Sequence, residues 1–133
     1  MSRTGIELHD SELSAVNIQD QQILLEFRPA YVHESSGTPG VDPGRGGWQD
    51  VDVVVCRPTD LRRVVNLPVD VSGGSLTIES ERWSNVVPLP LDRDGTVVLQ
   101  LFLASGETLT LQGSGISVSA VGEARFCEVF EGM

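Results

Sequence analysis

Wherever hydrophobicity alternates in this chain it does so with a period of two, which constrains the fold before any motif is considered. Ile23, Leu25 and Phe27 interleave with Leu24, Glu26 and Arg28; Leu109 and Leu111 with Thr108 and Thr110; Ile116, Val118 and Ala120 with Ser117 and Ser119. That period sends successive side chains to opposite faces of a strand, one toward a core and one toward water. The 18 valines reinforce it, because β-branched residues suit a pleated, half-buried surface. No window supports an amphipathic helix. The nearest, Thr59 to Val65, offers a capping Thr or Asp before a single turn, with a strand interrupted by Pro58 as the other reading.

Turn residues divide the alternating runs. Asp20-Gln21, Gly73-Gly74, Asp94-Gly95 and Gly106-Glu107 each stand where a hairpin would reverse. Gly113-Ser114-Gly115 reads as a turn or a bulge. The prolines of N-L-P-V-D and V-V-P-L-P-L point to edge strands or extended connections. The expectation is a single all-β domain over residues 1–133: an antiparallel β-sandwich or partly open β-barrel, largely of hairpins, with about nine or ten short strands. Val97 to Leu103 is apolar on both faces, which leaves a central strand and a subunit interface equally open.

One segment departs from this regularity. Residues 34–50 hold five glycines and two prolines and read as a long loop, a feature compact domains keep for function, disorder or assembly. Tyr31 and His33 lead into it, and Arg45 and Trp48 are its most contact-capable residues: Arg45 to pair an anion or stack, Trp48 to anchor.

Charge and composition narrow the function. Nineteen acids against nine bases give a net charge of −10, and all nine bases are arginine. So acidic a chain repels a phosphate backbone, and Arg62-Arg63 is its only adjacent basic pair, so nucleic acid is not an expected partner. The absence of lysine removes Schiff-base chemistry, lysine bases and the Walker-loop lysine. No apolar run approaches the roughly 20 residues that span a bilayer as a helix, and the first residues lack a signal-peptide core. Cys56 and Cys127 lack metal or redox spacing and are expected as free, buried thiols in a cytoplasmic protein.

Candidate catalytic motifs are weak. His9-Asp10 is the pair used by helical metal phosphohydrolases, but this chain has neither the helices nor their further ligands. Two histidines 24 positions apart cannot supply the H-x-H of a cupin. His9, Asp10 and Ser11 are contiguous, unlike a triad whose members converge from separate elements. Asp50/Asp52 and Glu79/Glu81 could pair as glycosidase carboxylates, although acids two apart on a strand face are commonplace. Asp92-Arg93-Asp94-Gly95 lacks the remaining ligands of a calcium loop, and Gly46-Gly47-Trp48 lies too far along the chain for a lipocalin signature. A site joining His9, His33 and nearby carboxylates on zinc or manganese is chemically reasonable if the fold brings the rings together.

The opening L-H-D-S-E-L, the stretch P-A-Y-V-H-E-S-S-G-T-P-G-V-D-P-G-R-G-G-W-Q, and the later V-P-L-P-L and E-V-F-E-G resemble a set of small uncharacterised bacterial all-β proteins. That resemblance implies no activity. The opening is also similar to the start of some β-rich immunity proteins of bacterial toxin systems, which would imply protein binding; an acidic chain suits a basic partner. The expected function is a non-enzymatic interaction or assembly module without a cofactor, binding a protein partner or a second copy as a homodimer, with Tyr31, His33, Arg45 and Trp48 at the contact surface. The other reading is a small-ligand or sugar-binding barrel, with or without a metal-assisted activity at His9 and His33.

Overall fold

The computed structural model describes residues 3–39, 41–59 and 66–130. Its nine strands are β1 (Arg3–Glu7), β2 (Glu12–Gln19), β3 (Gln22–Ser35), β4 (Gly44–Cys56), β5 (Val69–Ile78), β6 (Glu81–Ser84), β7 (Val86–Leu89), β8 (Leu91–Leu103) and β9 (Thr108–Phe130), with no helix among the described residues. Every pairing between them is antiparallel. Local chemistry accounts for the reversals. Asp20 and Gln21 take φ of 32° and 63°, the positive-φ turn whose twist matches a hairpin, and Gln19 faces Gln22 across it. Gly106, at φ 95°, closes the β8–β9 hairpin. Glu79, at φ 53°, turns β5 into β6, a reversal that the alternation through S-L-T-I-E-S conceals.

Six strands form a ring in the order β2-β5-β8-β9-β4-β3, closed by pairing of β2 with β3. Its seam is thin, since β2 and β5 meet only at Glu12 opposite Asp70 and Leu13 opposite Val69. The architecture is therefore ring-like, between a sandwich and a closed barrel. Inside it, aligned apolar positions face one another: Phe27 opposite Val51, Leu25 opposite Val53, and Ile23 opposite Val55. Val53 and Val55 in turn face Val118 and Ile116. All of these are buried, together with Leu76, Ile78, Val97, Leu99, Leu101, Leu109 and Leu111, and this burial drives the closure.

Three strands outrun the ring. β2 pairs β3 only as far as Phe27, and β8 pairs β9 only as far as Val118. Beyond those points the end of β3, the start of β4 and the end of β9 continue with β1 and β7 as an extension of the same nine-stranded sheet, in effect a second sheet outside the ring. The strands are thus longer than the short runs expected, reaching 13 residues in β4 and β8, 14 in β3 and 23 in β9.

The supposed loop at 34–50 is mostly strand. β3 runs to Ser35 and β4 starts at Gly44, leaving 36–43 as the connection. Glycines that read as loop residues serve close backbone approach instead. A Cβ on Gly47 would lie 2.0 Å from the Arg125 carbonyl oxygen and 2.5 Å from the Phe126 Cα, and one on Gly44 would lie 2.0 Å from the Glu34 carbonyl oxygen. Gly73-Gly74 and Asp94-Gly95, expected as hairpin turns, lie within β5 and β8 beside register shifts at Val71/Gly73 and Asp94/Val97. Glycine marks bulges as readily as turns, and strand length decides between them. β7, which carries Pro88, is an edge strand paired only with β1. Of the segment Thr59 to Val65, residues 60–65 and with them Arg62-Arg63 lie outside the described residues.

In Val97 to Leu103 one face is fully in the core, while Phe102 on the other is 44% exposed. Replacing Gly47 with alanine is expected to cost about 3 kcal/mol, because backbone on β9 must move to admit the methyl. Gly73→Ala, whose Cβ meets nothing nearer than 3.8 Å, should leave the urea midpoint unchanged or slightly raised. Equal midpoints for the two variants would show that β4 and β9 do not approach this closely.

Candidate functional site

In the second sheet, register alone assembles a line of functional side chains. Val86 of β7 faces Glu7 of β1, Glu7 faces Tyr31 of β3, Tyr31 faces Trp48 of β4, and Trp48 faces Arg125 of β9. The neighbouring line on the same face runs Pro88, Gly5, His33 and Gly46. The opposite face carries Ile6, Val32 and Val87, all in the core. Strand alternation thus separates a packing face from a polar, aromatic one.

That second face is covered where it would otherwise meet water. The β1–β2 turn folds over it and buries Ser11 completely. The Ser11 hydroxyl donates to the Glu7 carbonyl at 2.6 Å and accepts from the Tyr31 backbone N–H at 2.9 Å. The Tyr31 ring stands edge-on to His33, with centroids 5.2 Å apart, and to Trp48 at 4.8 Å, the T-shaped arrangement that aromatic quadrupoles favour. The His33 Nε2 lies 2.8 Å from Glu7 Oε2. From the other side the 36–43 connection approaches Gly5 with Pro39. It is tied internally, Ser35 donating to the Pro43 carbonyl and Asp42 accepting from the Thr38 N–H.

Next to Trp48 the cover stops. A shallow open cleft of about 370 Å³ is lined by Asp10, Glu12, Pro29, Trp48, Asp70 and Arg125. Three carboxylates reach it from the β1–β2 turn, β2 and β5. Glu12 and Asp70 are direct cross-strand neighbours at the thin seam of the ring, a like-charge pairing that opposes strand association. No described arginine forms an ion pair with either, and Arg125 on the cleft wall has no ion-pair partner among the described residues.

The four residues singled out in the sequence divide. Tyr31, His33 and Trp48 share one face and touch in series. Arg45 stands on the opposite face, its Nε 2.8 Å from Glu34 Oε1 and its guanidinium 3.8 Å above the centre of the Phe126 ring. Its charge is already engaged, and the one-residue parity between positions 45 and 48 separates it from the tryptophan. Tyr31 and His33 are covered rather than presented, at 5% and 7% exposure.

Three of the four paired acids, Asp52, Glu79 and Glu81, are taken up by structure. Arg28 binds Asp52 at 2.7 Å and Glu26 at 3.1 Å, Glu79 accepts from the Thr96 N–H, and Glu81 pairs with Arg93. Cys56 and Cys127 are free thiols, but Cys127 is exposed and Cys56 half-buried, contrary to the expectation of burial. Glu7, Glu12, Asp70 and Arg125 were not singled out, because only the strand register brings them together. The one available signal was Glu7 two residues from His9.

No family model matches this chain, and neither does any curated protein or solved structure. The site therefore stands on its geometry. Ser11→Ala is expected to lower stability by about 2 kcal/mol, since it leaves a buried N–H and carbonyl short of a partner. The exposed Ser119→Ala supplies the control in urea unfolding, and equal midpoints would remove Ser11 as the anchor of this face.

Proposed function

We propose that the protein is a non-enzymatic interaction module, cytoplasmic, whose Trp48 cleft receives a cationic side chain of a protein partner. The like-charged Glu12–Asp70 pair at the cleft mouth carries this reading, since no described arginine pairs with either. An arginine or lysine inserted there would relieve that repulsion, gain Asp10 as a further acceptor, and lie against the indole of Trp48. The net charge of −10 would draw a basic partner toward the surface. The resemblance to β-rich immunity proteins implies the same class of partner. Engagement of Asp52, Glu79 and Glu81 in structural contacts favours binding over catalysis, and the free thiols suit a reducing compartment.

An arginine-rich hexapeptide, titrated while Trp48 fluorescence is followed in a Trp83→Phe background, tests the cleft. Trp48→Ala, read by calorimetry, is expected to weaken binding about thirtyfold, the 2 kcal/mol scale of an interface anchor. The Asp10→Asn, Asp70→Asn double variant should weaken it and flatten its salt dependence. Unchanged affinity in both variants, or equal binding of a glutamine-substituted peptide, would reject this reading.

Self-association as a homodimer has its own support. No described strand pairs the second edge of β9 beyond Val118, and that segment exposes Val121 at 41% and Val129 at 84%. Open edges of this kind accept another strand. Light scattering should give twice the 14.3 kDa chain mass, reverting to the monomer with Val129→Lys. A monomeric parent at micromolar concentration rules the homodimer out.

A further inference from the structure

We propose a divalent-cation site formed by Glu7, His9 and Asp10, with His33 as its positioning residue. One ligand atom from each of the three lies within 4.8 Å of the other two. An imidazole with two carboxylates is a donor set for zinc or manganese. With metal–ligand distances of about 2.0–2.2 Å, the donors must close by roughly an ångström, and the two that move are free to do so. The side chains of His9 and Asp10 are 53% and 56% exposed, and His9 Nδ1 already lies 3.1 Å from Asp10 Oδ2.

Their backbone is held while the side chains move. The His9 N–H donates to Asn85 Oδ1 at 2.8 Å, the Asp10 N–H to the Val71 carbonyl at 3.2 Å, and Asp10 takes φ 75°. The third donor does not need to move. His33, more than nine-tenths buried, engages Glu7 Oε2 through Nε2 at 2.8 Å and leaves the other carboxylate oxygen for an ion.

This buried imidazole distinguishes the trio from a patch of surface acids. Carboxylates that ligate metals are themselves hydrogen-bonded from behind, and such partners fix ligand orientation. The arrangement also revises the pairing suggested by the sequence, in which His9 and His33 would both ligate. His33 commits its Nε2 to Glu7, so Glu7 takes the ligand position and His33 stands behind it. Three protein donors leave a coordination position open, as in sites that bind water or a further ligand.

The test is calorimetric titration with Mn²⁺ or Zn²⁺ alone, on the full chain with Cys56→Ser and Cys127→Ser to remove thiol binding. A single saturable equivalent is expected, weakened at least about tenfold by the exposed His9→Gln and by Glu7→Gln, a partly buried position whose folding is checked by circular dichroism. His33→Gln, with folding checked by circular dichroism, should retain the single equivalent at about 10- to 100-fold lower affinity. Absence of saturable binding, or parental affinity in either ligand variant, overturns the site. Parental affinity in a folded His33→Gln overturns the positioning role. No partner enters this measurement, so its outcome is independent of the peptide test.

Discussion

The pairing of β4 with both β3 and β9 along its whole length is the constraint from which the rest of the structure follows. Its second half, from Val51 to Cys56, supplies a wall of the ring, and its first half, from Gly44 to Gln49, the middle of the second sheet. One strand therefore fixes the register of both units. Gly47 is the point where this is most demanding, because β9 backbone occupies the space of a side chain. A one-residue slip at β4 would carry Trp48 to the core face and Val53 to water at once, which is how a period of two enforces register. Irregularities absorb the mismatch between ring and sheet: β3 gains one residue around Arg28-Pro29, and β9 gains two between Val121 and Arg125. Arg28 stabilises its bulge by donating to the Phe27 and Val51 carbonyls while pairing with Glu26 and Asp52.

Strand identity was legible because it is written locally, whereas pairing is not. Ile23-Leu25-Phe27 and Leu109-Leu111 announce their buried face through alternation, and Asp20-Gln21 announces its turn through residue type. The glycine-rich stretch after Glu34 misleads for a physical reason. Glycine serves positive φ, close approach and flexibility equally well, and only the neighbouring strand shows that Gly44 and Gly47 serve close approach. The same ambiguity hides Gly73-Gly74 and Asp94-Gly95 inside strands. Tyr31, His33 and Trp48 could be chosen from their chemistry, but Glu12 and Asp70, 58 positions apart, meet only because the ring closes on itself. Arg45 shows the converse: it was chosen for its chemistry and placed by parity on the other face.

Charge in this chain is distributed unevenly relative to structure. Arg28, Arg45, Arg57 and Arg93 each sit within ion-pair distance of an acid, so much of the scarce positive charge is spent on bracing strands. No described arginine is ion-paired with the acids around the Trp48 cleft, although Arg125 lines the same cleft. Leaving Glu12 and Asp70 opposed at the thinnest pairing in the ring weakens that seam, and the structure tolerates the weakness where β2 and β5 share only two residue pairs. Relief of repulsion at a weak seam would be an efficient source of binding energy, because a cationic occupant would also tighten the ring.

Asp10 belongs to both proposed occupancies, lining the cleft and completing the trio with Glu7 and His9. An ion that draws its carboxylate toward Glu7 withdraws one acceptor from a cationic side chain and adds positive charge beside it. By linkage the two ligands then oppose each other equally in both directions. The covered line from Glu7 through Tyr31 to Trp48 bears on the same point. Glu7 meets His33, His33 the Tyr31 ring, and Tyr31 the indole, while Ser11 of the turn that carries Asp10 holds the Tyr31 N–H, so a shift of that turn would act on the Tyr31 backbone first. If both proposals hold, the H-D-S turn would set the balance between ion and partner.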